Sequence, residues 1–209
     1  MKSILLTGSS GFVGSRLLVA LDRLDCSINL LSRTNNIKFS TSVCDFIKND
    51  IPSASLSSID TVFHLAGYSH DLSPDNKVDH LFQAINIDAT IKLAELAVKN
   101  NVDHFVFISS VKAAGISKDG ECVSEEFQGV LEGAYAKSKR IAEQKLVEIS
   151  KNSNMRVSII RPALVYGPNP KGNLELLWNG IKNDRFLPIP KIQNRKSMIH
   201  VDDLLNAII

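Results

Sequence analysis

The sequence predicts a doubly wound α/β domain, a parallel sheet with helices on both faces. Two observations carry this expectation. Short apolar runs alternate with longer stretches whose apolar residues recur at helical spacing, the pattern of fully buried parallel strands joined by crossover helices. The first apolar run also leads straight into a glycine-rich loop that opens the first amphipathic stretch.

In chain order, strands are expected near Ser3 to Leu6, Ile28 to Leu31, Thr61 to Leu65, His104 to Ile108 and Arg156 to Ile160, with a briefer one ending at Val43. Helices are expected from Gly11 to Asp25, from Val78 to Asn100 and from Gly133 to Lys151. In the second, Leu81, Ile85, Ile91, Leu93, Leu96 and Ala97 trace one apolar face. Ser53 to Ser58 is serine-rich and reads as a connector. From Arg161 onward the alternation stops, because Pro162, Pro168, Pro170, Pro188 and Pro190 break the chain into loops around one amphipathic run, Leu174 to Ile181.

Composition narrows the partners. The chain of 209 residues is 44% hydrophobic and 22% charged, enough apolar material for a sizeable core. Its 24 basic and 22 acidic residues are scattered without blocks, so neither nucleic acid nor an anionic membrane is an expected partner. Cys26, Cys44 and Cys122 are odd in number and lack metal-ligand spacing, which points to reduced thiols, most simply as buried filler, and to no metal. Met1 runs through Ile4-Leu5-Leu6 into the glycine loop with no basic leader, and no apolar stretch approaches the ~18 residues of a membrane span. The expected location is the cytoplasm.

The segment Gly8-Ser9-Ser10-Gly11-Phe12-Val13-Gly14 lies between strand and helix. A phosphate pair must approach the backbone closely there and lie over the helix N-terminus, where unpaired N–H groups and the helix dipole favour negative charge. Glycines in that setting indicate a dinucleotide, with Gly8, Ser10, Gly11, Phe12, Val13 and Gly14 in contact with it. The bland alternative is a tight turn alone. A phosphate-loop NTPase would need Lys-Ser/Thr where this chain has Ser15-Arg16. The second strand ends in Ser32-Arg33 with no acid for the ribose hydroxyls of NAD, so Arg33 favours the 2′-phosphate of NADP, unless it is an ordinary exposed arginine. Asp45, with Phe46 beside it, can meet the adenine edge or simply close a turn.

Tyr135 and Lys139 lie four residues apart, hence on one helix face. Hydride transfer at a carbinol needs a proton acceptor and donor beside it, and a nearby ammonium makes a phenol easier to ionise. Ser109-Ser110 ends a strand at the carboxyl edge of the sheet, where such folds place their ligands, and Ser110 is chosen as the hydroxyl that polarises the substrate oxygen.

With these residues in view, the chain resembles the extended short-chain dehydrogenase/reductase family, in particular its NAD-dependent nucleotide-sugar epimerase/dehydratase group. The motifs span nearly the whole chain: Gly8-x-x-Gly11-x-x-Gly14, His64-Leu65-Ala66-Gly67, Asn86-Ile87-Asp88-Ala89-Thr90, Phe107-Ile108-Ser109-Ser110, Tyr135-x-x-x-Lys139, Arg161-Pro162 with Tyr166-Gly167-Pro168, and His200-Val201-Asp202-Asp203-Leu204. The resemblance implies a Rossmann-like domain, residues 1–165, with residues 166–209 opening a smaller substrate-binding lobe. It also implies that Tyr135 is the acid/base, that Lys139 lowers its pKa, that Ser110 binds the reacting oxygen and that Asn86 anchors a water or a helix bend. Leu65, Ala66 and Gly67 would line the cofactor, with Pro162 and Ala163 near the nicotinamide. A solvent-facing helix residue is the plain alternative for Asn86. For His64 a satisfied buried histidine is preferred to catalysis.

Departures from the family choose among reactions. Family dehydratases carry Asp-Glu where this chain has Val111-Lys112, which disfavours dehydration, and Ala113-Ala114-Gly115 replaces a common Val-Tyr-Gly. The Ser-Ser-Val-Lys wording is similar to bacterial epimerases and 4-keto reductases of surface-polysaccharide sugars. On the substrate side Asn173 and Leu174 would approach a sugar nucleotide's diphosphate, and Arg195 or Lys196 would pair with it, unless both belong to a solvated basic turn. The expected activity is a nucleotide-sugar 4-epimerase or 4-keto-sugar reductase using NADP or NAD. The alternatives are an NADPH reductase of other carbonyl compounds and a non-catalytic cofactor-binding protein. A homodimer through the two long helices is also implied.

The family continues for roughly another hundred residues past Ile209, a lobe-sized segment. An incomplete substrate lobe is therefore expected, either because the chain is truncated or because it is a shortened protein that binds cofactor without closing over a sugar; exposure of Leu204, Leu205, Ile208 and Ile209 would favour the first.

Overall fold

The computed structural model describes residues 2–69, 79–117, 122–169, 173–183, 185 and 196–209. β1 (Lys2–Thr7), β2 (Cys26–Ser32), β3 (Ser40–Val43), β4 (Thr61–His64), β5 (His104–Ile108) and β6 (Arg156–Ile160) form one all-parallel sheet in the order β3-β2-β1-β4-β5-β6. The chain winds outward from β1 to β3, then crosses back to lay β4 against the other side of β1, with Thr7 opposite His64. Crossovers diverge at that point, and the crevice beyond the carboxyl ends of β1 and β4 is where such a sheet takes ligands.

Alternate residues of one strand feed two cores. Leu5, Val62, Phe105 and Phe107 pack on one face with Leu93, Ala94 and Ala97 of α3 (Ala89–Lys99) and with Ala142 and Leu146 of α4 (Gly133–Lys151). Ile4, Leu6, Leu30, Phe63 and Val106 pack on the other with Leu17, Leu18 and Leu21 of α1 (Phe12–Leu21). Burial on both faces explains why the strands read as continuous apolar runs.

α1 stops at Leu21, earlier than the expected Asp25. Asp22, Arg23, Leu24 and Asp25 are all exposed, and carboxylates at a helix C-terminus oppose the dipole. The long helix expected from Val78 is three pieces within the described residues. A single turn, α2 (Asp79–Leu81), runs into a π-helical segment (Phe82–Asp88) and then into α3. The wider turn brings Phe82 and Ile87, five residues apart, to the buried side together with Asn86. The serine-rich connector contains a 3-10 turn, Ser53–Leu56.

The proline-rich part holds more order than its composition suggests. β7 (Leu164–Tyr166) and β8 (Met198–His200), each too short for a periodicity, pair in parallel as a second sheet. α5 (Asn173–Lys182) covers the expected amphipathic run, and α6 (Val201–Ile208) follows β8. Of the four apolar residues at the end, Leu204, Leu205 and Ile208 are covered, at 1%, 7% and 7% exposed, because α6 lies in the α1 core, and Ile209 is 56% exposed. Of the cysteines, Cys44 is buried filler as expected, whereas Cys26 is half-buried and Cys122 exposed. No helix among the described residues is long and apolar enough to cross a membrane.

Candidate active site

Backbone crowding shapes the loop after β1. Gly8 has φ +73°, and a Cβ there would sit 2.6 Å from the Ala66 nitrogen; a Cβ on Gly14 would sit 2.1 Å from the Gly8 oxygen. The turn, the start of α1 and the chain leaving β4 are therefore pressed together without side chains between them. Gly11 N–H donates to the Gly8 carbonyl at 3.0 Å, and α1 opens with no side-chain cap and no acid in its first turn, which leaves its N-terminal dipole to an anion. Gly14→Ala is expected to lower stability by about 3 kcal/mol, because a Cβ facing a backbone oxygen cannot be relieved by a rotamer change. Urea unfolding checks this, and an unchanged midpoint would contradict the packing.

Phe12 and Val13 lie half-buried in the first turn of α1, and Ser10 is exposed in the loop. Arg33 is exposed directly after β2. The Asp45 carboxylate accepts from Ile47 N–H at 3.0 Å while its own N–H donates to Asn49 Oδ1 at 3.1 Å, the bonding of a turn residue. Phe46 stands 6.2 Å from the His64 ring.

His64 is the satisfied histidine preferred above. Its Nδ1 lies 2.7 Å from Thr7 Oγ1 and its Nε2 2.9 Å from Thr90 Oγ1, and Thr7 Oγ1 also accepts from Ala66 N–H at 3.1 Å. Full burial, helped by the Lys139 charge, pushes its pKa down to about 3, so the ring is neutral. Asn86 corrects the solvent-facing alternative, being 0% exposed. Its Oδ1 accepts from Tyr68 N–H at 2.7 Å, and its Nδ2 donates to the Tyr68 carbonyl at 2.9 Å and to Ser138 Oγ at 3.0 Å. Asn86 thus ties the segment after β4 to α4. Leu65 and Ala66 lie half-buried in this segment, and a Cβ on Gly67 would come within 3.3 Å of Lys139 Nζ.

α4 delivers Tyr135 and Lys139 to the carboxyl end of β5. Lys139 Nζ donates to the Ile108 carbonyl at 2.9 Å and lies 4.5 Å from the Phe107 ring centre. Burial pulls its pKa down to about 8, against the opposing carboxylate of Glu143. Ser110 caps the 3-10 turn Val111–Ala114, its Oγ accepting from Lys112 N–H at 3.2 Å, and its hydroxyl stands beside that of Tyr135. Burial raises the Tyr135 pKa and the Ser110 bond lowers it. Lys139, one turn along α4 from Tyr135, directs its ammonium to the Ile108 carbonyl.

Ser110, just after β5, and Tyr135 and Lys139, one turn apart on α4, meet at one place. Pro162 and Ala163, half-buried after β6, border it, and the Pro162 carbonyl accepts from Val111 N–H at 3.1 Å. Asn173 and Leu174 open α5, but their side chains lie outside the described part, as does Arg195. Lys196 is exposed ahead of β8. Sequence reasoning missed Glu143, 3% exposed, which binds Arg161 with both oxygens at 3.0 and 2.7 Å while Arg161 Nη1 donates to the Glu125 carbonyl at 2.8 Å. A signal existed: Glu143 follows Lys139 by one turn, and Arg161 opens the Arg-Pro motif. Among the described residues no cluster of His, Cys, Asp or Glu could hold a metal ion.

The family model for "NAD dependent epimerase/dehydratase family" matches residues 4–209, which include every element of this site. The chain belongs to that family. It is 34% identical to a UDP-glucose 4-epimerase of Vibrio cholerae over 100% of its own length and 66% of that protein's. It is 30% identical to the N-acetyl-alpha-D-glucosaminyl-diphospho-ditrans,octacis-undecaprenol 4-epimerase of Escherichia coli O157:H7, covering 99% of this chain and 62% of that protein. The chain thus spans about two-thirds of the length of these curated relatives. The fold matches that of UDP-glucuronic acid 4-epimerase from Bacillus cereus in complex with UDP-glucuronic acid and NAD, at TM-score 0.85 and 24% identity over 97% of this chain and 70% of that one. A UDP-glucose 4-epimerase from Thermotoga maritima gives TM-score 0.84 at 20% identity over 99% of this chain and 72% of that one.

Proposed function

We propose that this chain is the cofactor-binding and catalytic part of a nucleotide-sugar 4-epimerase that uses a nicotinamide dinucleotide. The observation that carries the reading is the meeting of Ser110, Tyr135 and Lys139 at the carboxyl end of β5, beside the crevice of β1 and β4. The V. cholerae and E. coli relatives, both 4-epimerases by name, support the reaction type.

The residues present fit the dinucleotide. A Cβ at Gly8 or Gly14 would meet backbone, and one at Gly67 would enter the space next to Lys139, so each glycine keeps open a path for close approach. The α1 N-terminus and Gly8, Ser10, Gly11, Phe12, Val13 and Gly14 would hold the diphosphate, and Arg33, Asp45 and Phe46 the adenosine end. Leu65, Ala66 and Gly67, with Lys139, Pro162 and Ala163, would hold the nicotinamide end. When bound, the oxidised nicotinamide supplies reversible acceptance of hydride. At the sugar, the Tyr135 oxygen takes the proton of the C4 hydroxyl as the carbonyl forms and returns it afterwards. Ser110 donates a hydrogen bond to that same oxygen, and Asn86 keeps the Tyr68 segment against α4. Lys139, with its pKa of about 8, carries a positive charge at neutral pH that opposes proton gain by the phenolate side of the pair. Asn173, Leu174, Arg195 and Lys196 belong to the diphosphate end of the sugar nucleotide in this reading.

Arg33, exposed at the end of β2, favours a second reading, a 4-keto-sugar reductase exchanging NADP. In either form the product would enter polysaccharide precursors, and α4 offers a pairing face for a homodimer with Ile141 and Val147 each 41% exposed. Fluorescence titration with NADH and NADPH, alongside Arg33→Ala, tests the reading. Tight NADH binding untouched by Arg33→Ala is expected of the epimerase. An NADPH preference that falls about tenfold or more in the variant, the loss of a charge-assisted phosphate contact, moves the assignment to the reductase. Binding of neither nucleotide overturns both.

A further inference from the structure

Arg140 follows Lys139 on α4 and is 7% exposed, yet it has no part in the proton path described above. Its Nε–H donates to the Ala113 carbonyl and its Nη1 donates to Gln128 Oε1 at 3.1 Å, while Nη2 is buried with no hydrogen-bond partner among the described residues. An incompletely satisfied buried guanidinium is a poor stabiliser compared with an apolar side chain of similar length. Its physical return is geometric, because the planar fork holds two acceptors at a fixed separation.

The acceptor that matters is Ala113. Its N–H donates to the Ser110 carbonyl at 2.9 Å, so Ala113 closes the turn that Ser110 caps. On the far side the turn is tied to the sheet by Val111 N–H on the Pro162 carbonyl at 3.1 Å. On the near side Arg140 ties it to the helix that carries Tyr135. We propose that Arg140 is a positioning residue: it holds the Val111–Ala114 turn against α4 and thereby keeps the Ser110 hydroxyl beside Tyr135. This rests on the reading of Ser110 and Tyr135 as the reacting pair.

The test reads Tyr135 directly. Phenolate absorbance is titrated in the purified chain, and subtraction of Tyr135→Phe removes the signals of Tyr68 and Tyr166. The groups facing Tyr135 are Ser110 from the turn, Lys139 from its own helix and the Phe82 ring, 6.3 Å away, from the π-helical segment. Ser110→Ala should move the Tyr135 ionisation to higher pH, since the Ser110 bond is what lowers it. Arg140→Met should move it the same way, and the double variant no further than Ser110→Ala alone. Arg140→Lys, which keeps the charge but cannot span both acceptors, should move it less and serves if Arg140→Met does not fold. Turnover of UDP-glucose should fall about tenfold in kcat with nucleotide affinity unchanged, as for a misplaced group that does not bind the cofactor.

A merely structural arginine would lower the unfolding midpoint and leave the ionisation where it is. That result, or additive shifts in the double variant, overturns the inference while leaving the Ser110–Tyr135 pair intact. If Ser110→Ala itself leaves the ionisation unmoved, the pair fails, and the proton path of the proposed function fails with it.

Discussion

If the chain acts as the proposed nucleotide-sugar 4-epimerase, Tyr135→Phe is expected to keep the affinity for nicotinamide dinucleotide and to lose about a thousandfold in turnover, assayed with UDP-glucose, the scale of a positioned acid/base. The ring is held by packing. It lies half-buried, 6.3 Å from Phe82 at a tilt of 59°, and these contacts do not involve the hydroxyl. Removing that oxygen leaves Lys139 on the Ile108 carbonyl and the glycine loop untouched, so affinity has no reason to change. What disappears is the hydroxyl that, in the proposed reading, carries a proton to and from the sugar hydroxyl. Parallel fluorescence titration and a coupled turnover assay separate the two effects. Full activity in the variant would remove Tyr135 from the reaction, and a loss of affinity would mean that its hydroxyl shapes the nucleotide site.

The sheet was legible because burial on both faces writes strands as unbroken apolar runs. His104 to Ile108 and Arg156 to Ile160 are bounded as their residues suggest. Pairs fixed by one helical turn were legible too, Tyr135 with Lys139 above all. The π-helical segment was not, since Phe82 to Asp88 has the composition of an ordinary amphipathic helix and the wider turn comes from burying Asn86 against Tyr68 and Ser138. Periodicity does not encode a tertiary hydrogen bond.

The same limit explains Leu204, Leu205 and Ile208. Their spacing shows an apolar face, but only the packing of α6 on α1 decides that it is covered. Glu143 and Arg140 were missed, as was the pairing of Arg161 with Glu143, because long-range partners of buried charges leave no local pattern. Four-residue spacing places Lys139 and Tyr135 on one helix face, but it does not encode that the ammonium donates to the Ile108 carbonyl or that burial pulls its pKa down to about 8.

Acid should unfold this chain through His64. Its ring sits under the crevice with Thr7 on one nitrogen and Thr90 on the other, between the Phe105 and Phe107 rings at 5.8 Å each. Burial holds its folded pKa near about 3, against 6.5 for the free side chain. The unfolded chain therefore binds more protons between those values. The stability this affords is fully present above pH 6.5 and is lost as pH falls from there towards 3. At about 1.4 kcal/mol per pH unit the total reaches about 4 to 5 kcal/mol, comparable with the whole stability of many domains. His104, also lowered by burial, acts with the same sign, so the contribution of His64 is isolated by comparison with His64→Gln, which keeps a donor and an acceptor for the two threonines but does not titrate. Urea midpoints measured from pH 7 down to pH 4 should fall more steeply for the unaltered chain than for the variant. Parallel profiles would mean that the cavity takes up the proton without penalty, which requires Thr7 and Thr90 both to turn a lone pair to the ring, Thr7 keeping its other lone pair on Ala66 N–H.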